Sequence, residues 1–181
     1  MKQQGYIHIY TGNGKGKTCA ALGVALRSLG NGYSVAMGQF VKSPNFEYNE
    51  MKALSAIREA GIFPGKIEIH QFGSGCCICH DPVEEDAEGA RKGFEIVTEW
   101  IMSGEWDTVI LDELNIALRL NLLKLEEVID LIKNKPAGVN LIITGRHAPD
   151  ELIALADVVT EMKEIKHYFT RGILSQPGLD K

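Results

Sequence analysis

The sequence contains no apolar run long enough to cross a membrane, and its first residues lack the apolar core of a signal region. We therefore expect a cytoplasmic protein that does not associate with membranes. Basic residues do not predominate, since the formal net charge is −5, which argues against a general nucleic-acid-binding surface. A local cationic pocket remains compatible with that charge.

Cysteine is scarce, and three of the four cysteines lie within four positions, at Cys76, Cys77 and Cys79. In a reducing compartment, this favours metal binding or redox chemistry over structural disulfides. His80 follows the cluster directly and His70 precedes it, but the spacing is not the usual zinc pattern of paired cysteines. Buried small residues or a single reactive thiol are the alternatives to a metal site.

Repeats, linkers and low-complexity segments are also lacking, so we expect residues 1–181 to form a single domain. Apolar segments with strand and helix character alternate along the chain. We predict strands near residues 6–10, 33–40, 67–72, 108–111, 139–144 and 158–162, with helices between them. The first helix begins at Lys17, with Leu22, Leu26 and Leu29 as its buried stripe. This order predicts an α/β fold, with a parallel sheet covered by helices on both faces.

A glycine-rich loop joins the first predicted strand to the first helix. Glycines let the backbone wrap closely around phosphate oxygens, and the helix directs its positive end toward the same anion. Lys17 could reach a terminal phosphate, and the Thr18 hydroxyl could bind Mg²⁺. The pattern is a variant, because its usual first glycine is replaced by Thr11, and a surface turn is the less favoured alternative. The predicted phosphate-binding residues are Gly12, Asn13, Gly14, Lys15, Gly16, Lys17 and Thr18.

Charged residues follow two other predicted strands. Asp112 and Glu113 could bind Mg²⁺ together with Thr18, although acidic residues also favour a helix N-terminus. Arg146 could clamp a polyphosphate, or be an ordinary surface arginine. Arg27 in the first helix is a further phosphate-binding candidate, with a salt bridge as its alternative. Since ligands bind beyond the carboxyl ends of parallel strands, we expect one site at that edge of the sheet.

The sequence resembles the P-loop corrinoid adenosyltransferases, the cob(I)alamin or cob(I)yrinic acid a,c-diamide adenosyltransferase family, whose fold is P-loop NTPase-like (RecA-like). The motifs that carry the resemblance occur in the family's order: residues 11–18, Gln39-Phe40-Val41-Lys42, residues 109–114, Ile142-Ile143-Thr144-Gly145-Arg146, and Lys166-His167 with Gln176 and Gly178.

This resemblance implies transfer of the 5′-deoxyadenosyl group of ATP to the cobalt of a reduced corrinoid, with release of triphosphate. Cobalt(I) is the nucleophile, so catalysis reduces to orienting the reactants and neutralising the leaving group. Lys17 and Arg146 are then the catalytic candidates, and Mg²⁺ a cofactor held by Thr18, Asp112 and Glu113. The implied partners are ATP, a reduced corrinoid, an electron donor such as a flavoprotein, and a second copy in a homodimer. Another P-loop phosphotransferase or hydrolase, or a non-catalytic nucleotide- or corrinoid-binding protein, are the alternative functions.

The resemblance departs from the family at one segment. Relatives carry a Gly-Phe-Thr-Trp sequence whose aromatic residues displace the lower cobalt ligand, and residues 75–78 align with it without either aromatic. The candidates for contact with the lower face of the corrinoid are Cys76, Cys77, Ile78, Cys79 and His80. The preferred corrinoid is therefore left open by the sequence.

Overall fold

The computed structural model describes residues 4–46, 48–74 and 82–180. Its strands are β1 (Ile7–Thr11), β2 (Val35–Gln39), β3 (Ile67–Gln71), β4 (Thr108–Asp112), β5 (Asn140–Thr144) and β6 (Val158–Glu161). Its helices are α1 (Lys17–Gly30), α2 (Asn49–Ala60), α3 (Glu84–Ser103), α4 (Leu114–Arg119), α5 (Leu125–Asn134) and α6 (Asp150–Leu155), followed by a 3₁₀ turn at Tyr168–Arg171.

The six strands form one sheet in the order β3-β2-β4-β5-β1-β6, and every neighbouring pair is parallel. All carboxyl ends therefore lie at the same edge of the sheet. The predicted parallel α/β architecture is confirmed. The glycine loop after β1 and the residues that follow β2, β4 and β5 consequently share this edge.

Helices cover both faces of the sheet, as the burial of alternate strand residues shows. Val109 and Leu111 pack in one hydrophobic cluster with residues of α3, α4 and α5. Ile110, between them, packs in a second cluster with α1 and α2. Successive side chains of a strand point to opposite faces, so a strand buried on both faces needs a continuous apolar run. Every residue of β2 and β4 is buried.

The buried face of α1 differs from the predicted stripe. Leu29 is fully buried, but Leu26 is 47% exposed, and the helix instead buries Ala21 and Ala25. These residues continue the four-residue spacing that begins at the buried Lys17, whose position the glycine loop fixes. The small alanine side chains let α1 lie close to the sheet, and this outweighs the larger apolar area of Leu26.

The short helix α4 lies between β4 and α5, so that two helices separate β4 from β5. Five of its six residues are buried, directly after β4. Periodicity cannot be recognised in so short and so apolar a segment. Within the described residues, no helix is both long and apolar enough to span a membrane.

Gly38 tests how tightly α3 and the chain after β3 pack on the sheet. A Cβ atom there would lie 2.7 Å from Phe72 Cε2 and 2.8 Å from Val97 Cγ1. We expect Gly38→Ala to lower the free energy of unfolding by about 1–3 kcal/mol, since overpacking forces neighbours to move. Gly23→Ala is the matched control, because nothing lies within 4 Å of that Cβ position on α1. It should raise stability by up to about 1 kcal/mol through helix propensity. Urea unfolding measures both, and a Gly38→Ala protein as stable as wild type would contradict this packing.

Candidate functional site

The glycine loop is pressed against the segment that follows β6. The Gly14 amide donates a hydrogen bond to the Met162 carbonyl over 2.6 Å. A Cβ at Gly12 or at Gly14 would lie 2.6 Å from that same oxygen. Gly12 and Gly16 also have φ of 93° and 111°, which side chains rarely adopt. The sequence thus places glycine where the backbone turns sharply and where two segments touch.

Lys17, the first residue of α1, folds its side chain back over this loop. Its Nζ donates to the carbonyl oxygens of Gly12, at 2.9 Å, and Gly14, at 2.8 Å. The residue is only 7% exposed, and burial lowers the pKa of its ammonium group. A cationic group is thereby held in the concave side of the loop.

Asp112, at the end of β4, is a fully buried carboxylate, and each of its two oxygens has two polar partners. Its Oδ1 accepts from Thr18 Oγ1 at 2.9 Å and from Thr144 Oγ1 at 2.7 Å. Its Oδ2 accepts from Gln39 Nε2 at 3.0 Å and lies 3.3 Å from Lys42 Nζ. A buried charge is tolerated only when it is paired and hydrogen-bonded in this way. The carboxylate therefore joins the start of α1 to the ends of the central strands.

The same network continues across the edge of the sheet. Gln71 Nε2 donates to Gln39 Oε1 at 2.9 Å, and Thr144 Oγ1 accepts from the Glu113 amide at 2.9 Å. Gln71, Gln39, Asp112 and Thr144 belong to β3, β2, β4 and β5, which are consecutive strands of the sheet. Side-chain hydrogen bonds thus link four strand ends.

Lys42 closes this network from the loop after β2. Its Nζ lies 2.8 Å from Glu50 Oε1 on α2, and 5.1 Å from the centre of the Tyr48 ring. Burial alone would lower the pKa of Lys42, but Asp112 and Glu50 together raise it above its ordinary value. From the sequence, Lys42 was named only as part of a family motif, without a role of its own.

Glu113 has a strained backbone and an unusual pKa. Its φ of 59° and ψ of 23° lie in the left-handed region that glycine favours. Burial, and then the charge of Asp112, raise the pKa of the Glu113 carboxyl to about 7. With this backbone conformation the chain leaves the path of the strand at Glu113, and the Glu113 side chain lines the cavity. A nearby cation would stabilise the ionised form of such a buried carboxyl.

A cavity of ≈ 1090 Å³ opens above these residues. Its lining includes the predicted residues Asn13, Gly14, Lys15, Gly16, Lys17, Thr18, Glu113 and Arg146. Asp112 lies behind Thr18, fully buried, and Gly12 supports the loop from the side of Met162. The lining also includes residues that sequence reasoning missed, among them Cys19, Leu22, Ile116, Arg119, Leu120, His147 and Glu164. They carry no motif, and only the fold brings them together.

One predicted residue is not brought to this cavity, and one predicted segment is not described. Arg27 lies in the last turn of α1, ten residues and roughly 15 Å along the helix from Lys17. Cys76, Cys77, Ile78, Cys79 and His80 lie outside the described residues. His70 pairs with Glu68, with 3.0 Å between Nε2 and Oε1. Across the described ranges, no three histidine, cysteine or acidic side chains are grouped to bind a metal ion.

The C-terminal segment folds over the loop. Lys15 Nζ contacts the Asp180 carboxylate and the Leu179 carbonyl oxygen. Asp180 also accepts from the Tyr168 hydroxyl and from the Gln176 amide. The predicted phosphate ligand Lys15 is thus paired with an acidic residue of the chain itself.

Comparison with known proteins agrees with this geometry. A family model described as ATP:corrinoid adenosyltransferase BtuR/CobO/CobP matches residues 3–180. A corrinoid adenosyltransferase of Pseudomonas aeruginosa is 34% identical over 180 residues, which cover 98% of this chain and 84% of that protein. The uncharacterised protein all2391 of Nostoc sp. is 39% identical over 173 residues, and this chain spans 45% of its length.

The fold is shared more widely than the sequence. The flagellar accessory protein FlaH of Methanocaldococcus jannaschii superposes with a TM-score of 0.57 at 14% identity, over 87% of this chain and 71% of that one. At that identity the similarity concerns the fold alone. The predicted P-loop NTPase-like, RecA-like class is confirmed.

Glu113 predicts a pH dependence of stability for the protein without Mg²⁺ or ATP. The pKa of the Glu113 carboxyl rises from its ordinary value of 4.5 to about 7 on folding, so the folded state binds the proton more tightly than the unfolded state. The stabilisation of the folded state by this proton is fully present below pH 4.5 and is lost as the pH rises through 7. We expect Glu113→Gln to flatten the fall in stability from pH 5 to 8, measured by urea unfolding. The exposed Glu126→Gln is the control, and a slope unchanged by Glu113→Gln would contradict the burial of this carboxyl.

Proposed function

Because the chain belongs to the ATP:corrinoid adenosyltransferase family, which transfers the 5′-deoxyadenosyl group of ATP to a reduced corrinoid, we propose that the cavity above β1, β4 and β5 is where the two substrates meet. The triphosphate of ATP lies on the glycine loop, residues 12–18, and the corrinoid occupies the remaining space. The observation that carries this proposal is the hydrogen bond between Thr18 and the buried Asp112.

That hydrogen bond fixes the oxygen donors that a magnesium ion requires. Mg²⁺ prefers carboxylate, hydroxyl and phosphate oxygens, and keeps several waters. The Thr18 hydroxyl and the Glu113 carboxyl supply such oxygens at the mouth of the loop, and the buried Asp112 behind them orients the Thr18 hydroxyl. The residues therefore fit Mg²⁺, which would neutralise part of the triphosphate charge.

Lys17 and Arg146 are the proposed catalytic residues. The Lys17 ammonium now donates to two loop carbonyls, and a charged phosphate oxygen is a stronger acceptor than either. Arg146 lines the cavity from the end of β5, opposite the start of α1. The amides of Asn13, Gly16 and Thr18 complete the set of proposed phosphate donors, whereas the Gly14 amide is already bonded to Met162.

The chemistry requires little more than this. Cobalt(I) donates an electron pair to the 5′ carbon of the ribose, the carbon–oxygen bond breaks, and triphosphate leaves with the bonding pair. No proton is abstracted, so a general base is unnecessary. The protein holds the reactants in line and stabilises the charge that develops on the leaving oxygen.

Several expectations of the sequence are carried forward as parts of this proposal. Residues 1–181 act as one domain, in the cytoplasm, where ATP is available. Since the cobalt must be reduced before it can attack, an electron donor such as a flavoprotein is required. Assembly as a homodimer and contact of the segment Cys76–His80 with the corrinoid also stay predictions.

Product analysis tests the proposed function. The protein is incubated with ATP, Mg²⁺ and chemically reduced cobalamin, and the cobalt–carbon bond is followed by its absorption spectrum. We expect adenosylcobalamin and triphosphate in equal amounts. Formation of ADP without a cobalt–carbon bond would instead support a phosphotransferase or hydrolase, and binding without turnover would support a carrier protein.

Lys17→Ala should lower the rate of adenosyl transfer by about 10²–10³-fold, because one contact that stabilises the leaving group is removed. Lys92→Ala is the control, since this lysine is exposed on α3, away from the cavity. Circular dichroism checks that both variants fold. Normal turnover by a folded Lys17→Ala protein would exclude the loop lysine from the mechanism.

The lower-face proposal has its own test. Cys76 and Ile78 are smaller than the aromatic residues of relatives, so a bulky lower base should be displaced less completely. Starting from cobalt(II), a corrinoid without that base should react faster than one with it, and Cys76→Phe with Ile78→Trp should narrow the difference. Stoichiometric zinc or iron that is lost in Cys76→Ala, Cys77→Ala and Cys79→Ala would show a metal site instead.

A further inference from the structure

We propose that Lys15 is a positioning residue, which holds residues 164–180 across the glycine loop through Asp180. We call residues 164–180 the C-terminal strap. The inference rests on the proposed function of the cavity, because the strap forms one of its walls. It assigns Lys15 a role different from direct phosphate binding.

The strap is not anchored by hydrophobic packing. None of its described residues is buried, and Ile165 and Leu174 are 85% and 70% exposed. Both hydrophobic clusters end before it, with Ala156 as the last described member in the chain. Polar contacts must therefore determine where the strap lies.

Those polar contacts converge on one side chain. Within the part of the chain that the structure describes, the hydrogen bonds and ion pairs that join the strap to other segments all come from Lys15. It contacts the carboxylate of Asp180 and the carbonyl oxygen of Leu179, which are the last turn of the strap. Without Lys15, the strap would be attached only through the chain itself, at Met162 and Lys163.

Hydrogen bonds within the strap orient the Asp180 carboxylate for its contact with Lys15. The Tyr168 hydroxyl and the Gln176 amide both donate to its Oδ2, leaving Oδ1 for Lys15. Lys15 and Tyr168 hold the pKa of the carboxyl well below its usual range. A carboxylate oriented by two donors of its own segment is a fixed attachment point, not a mobile surface charge.

The charges favour keeping this pair when ATP binds. If Lys15 moved to the triphosphate, Asp180 would be left beside a strongly negative ligand without its cation. If the pair stays, Lys17 and Arg146 still face the phosphates, and the strap keeps its cavity-lining residues in place. The position of the strap residues that line the cavity then depends on Lys15; they are Glu164, His167, Gly178, Leu179 and Asp180.

A double-mutant cycle tests the proposal with Lys15→Met, Asp180→Asn and the double variant. We expect Lys15→Met and Asp180→Asn to raise the KM for the same substrate by about fivefold, with kcat nearly unchanged. The KM of the double variant should be no higher than that of either single variant. Tyr168→Phe should act in the same direction. Lys92→Met, which removes an exposed lysine elsewhere, should have no effect.

Hydrogen exchange of residues 164–180 in the substrate-free protein provides a readout that needs no activity. Exchange should accelerate in both single variants and stay at the wild-type rate in Lys92→Met. Weaker ATP binding in Lys15→Met with normal or tighter binding in Asp180→Asn would overturn the proposal, because Lys15 would then be a phosphate ligand. So would unchanged exchange in both single variants. Failure of the proposed function would instead appear as a wild-type protein that makes no triphosphate, whatever the exchange shows.

Discussion

The buried carboxylate of Asp112 is the constraint on which the ligand edge of this protein depends. A charge removed from water is costly unless its partners replace the lost hydration, and breaking such a pair by removing one partner typically costs about 3–5 kcal/mol. Here the partners come from α1, β5, β2 and the loop after β2, as Thr18, Thr144, Gln39 and Lys42. Satisfying one carboxylate therefore fixes four segments relative to one another, before any ligand is bound.

This arrangement places side chains of both charges around the open side of the site. Asp112 is compensated inside the network, but Glu113 next to it faces the cavity with a raised pKa. Lys17 is held nearby on carbonyl oxygens, which are weak acceptors compared with phosphate. In the proposed complex, a magnesium triphosphate would supply a cation for Glu113 and an anion for Lys17. The chemistry of adenosyl transfer fits because its demand on the protein is to stabilise that leaving group.

The sequence predicted those parts of the structure that follow from local pattern. Glycines at 12, 14 and 16 between a strand and a helix predicted a phosphate-binding loop. A side chain at Gly12 or Gly14 would collide with Met162, and Gly16 has a φ that side chains rarely adopt. Alternating apolar segments likewise predicted the parallel sheet. The buried face of α1 was predicted wrongly, because helical periodicity alone could not weigh Ala25 against Leu26. That choice is made by the distance between helix and sheet, which is a tertiary property.

Long-range contacts were beyond such prediction for the same reason. Nothing near Lys15 in the sequence indicates Asp180, 165 positions away. The link between Gln71, Gln39 and Asp112 also requires knowledge of strand order, which the sequence does not state. Residues that act through neighbours in space are recognised only once the fold brings them together.

The central claim is that this site stabilises triphosphate as a leaving group, so that the bond between carbon and oxygen breaks. ATP carrying ¹⁸O at the 5′ bridging oxygen tests it most directly, in a reaction with chemically reduced cobalamin and Mg²⁺. We expect the label to leave with triphosphate while the unlabelled adenosyl group appears on cobalt. Label recovered in ADP or AMP would mean that a phosphorus–oxygen bond had broken, and would contradict the account.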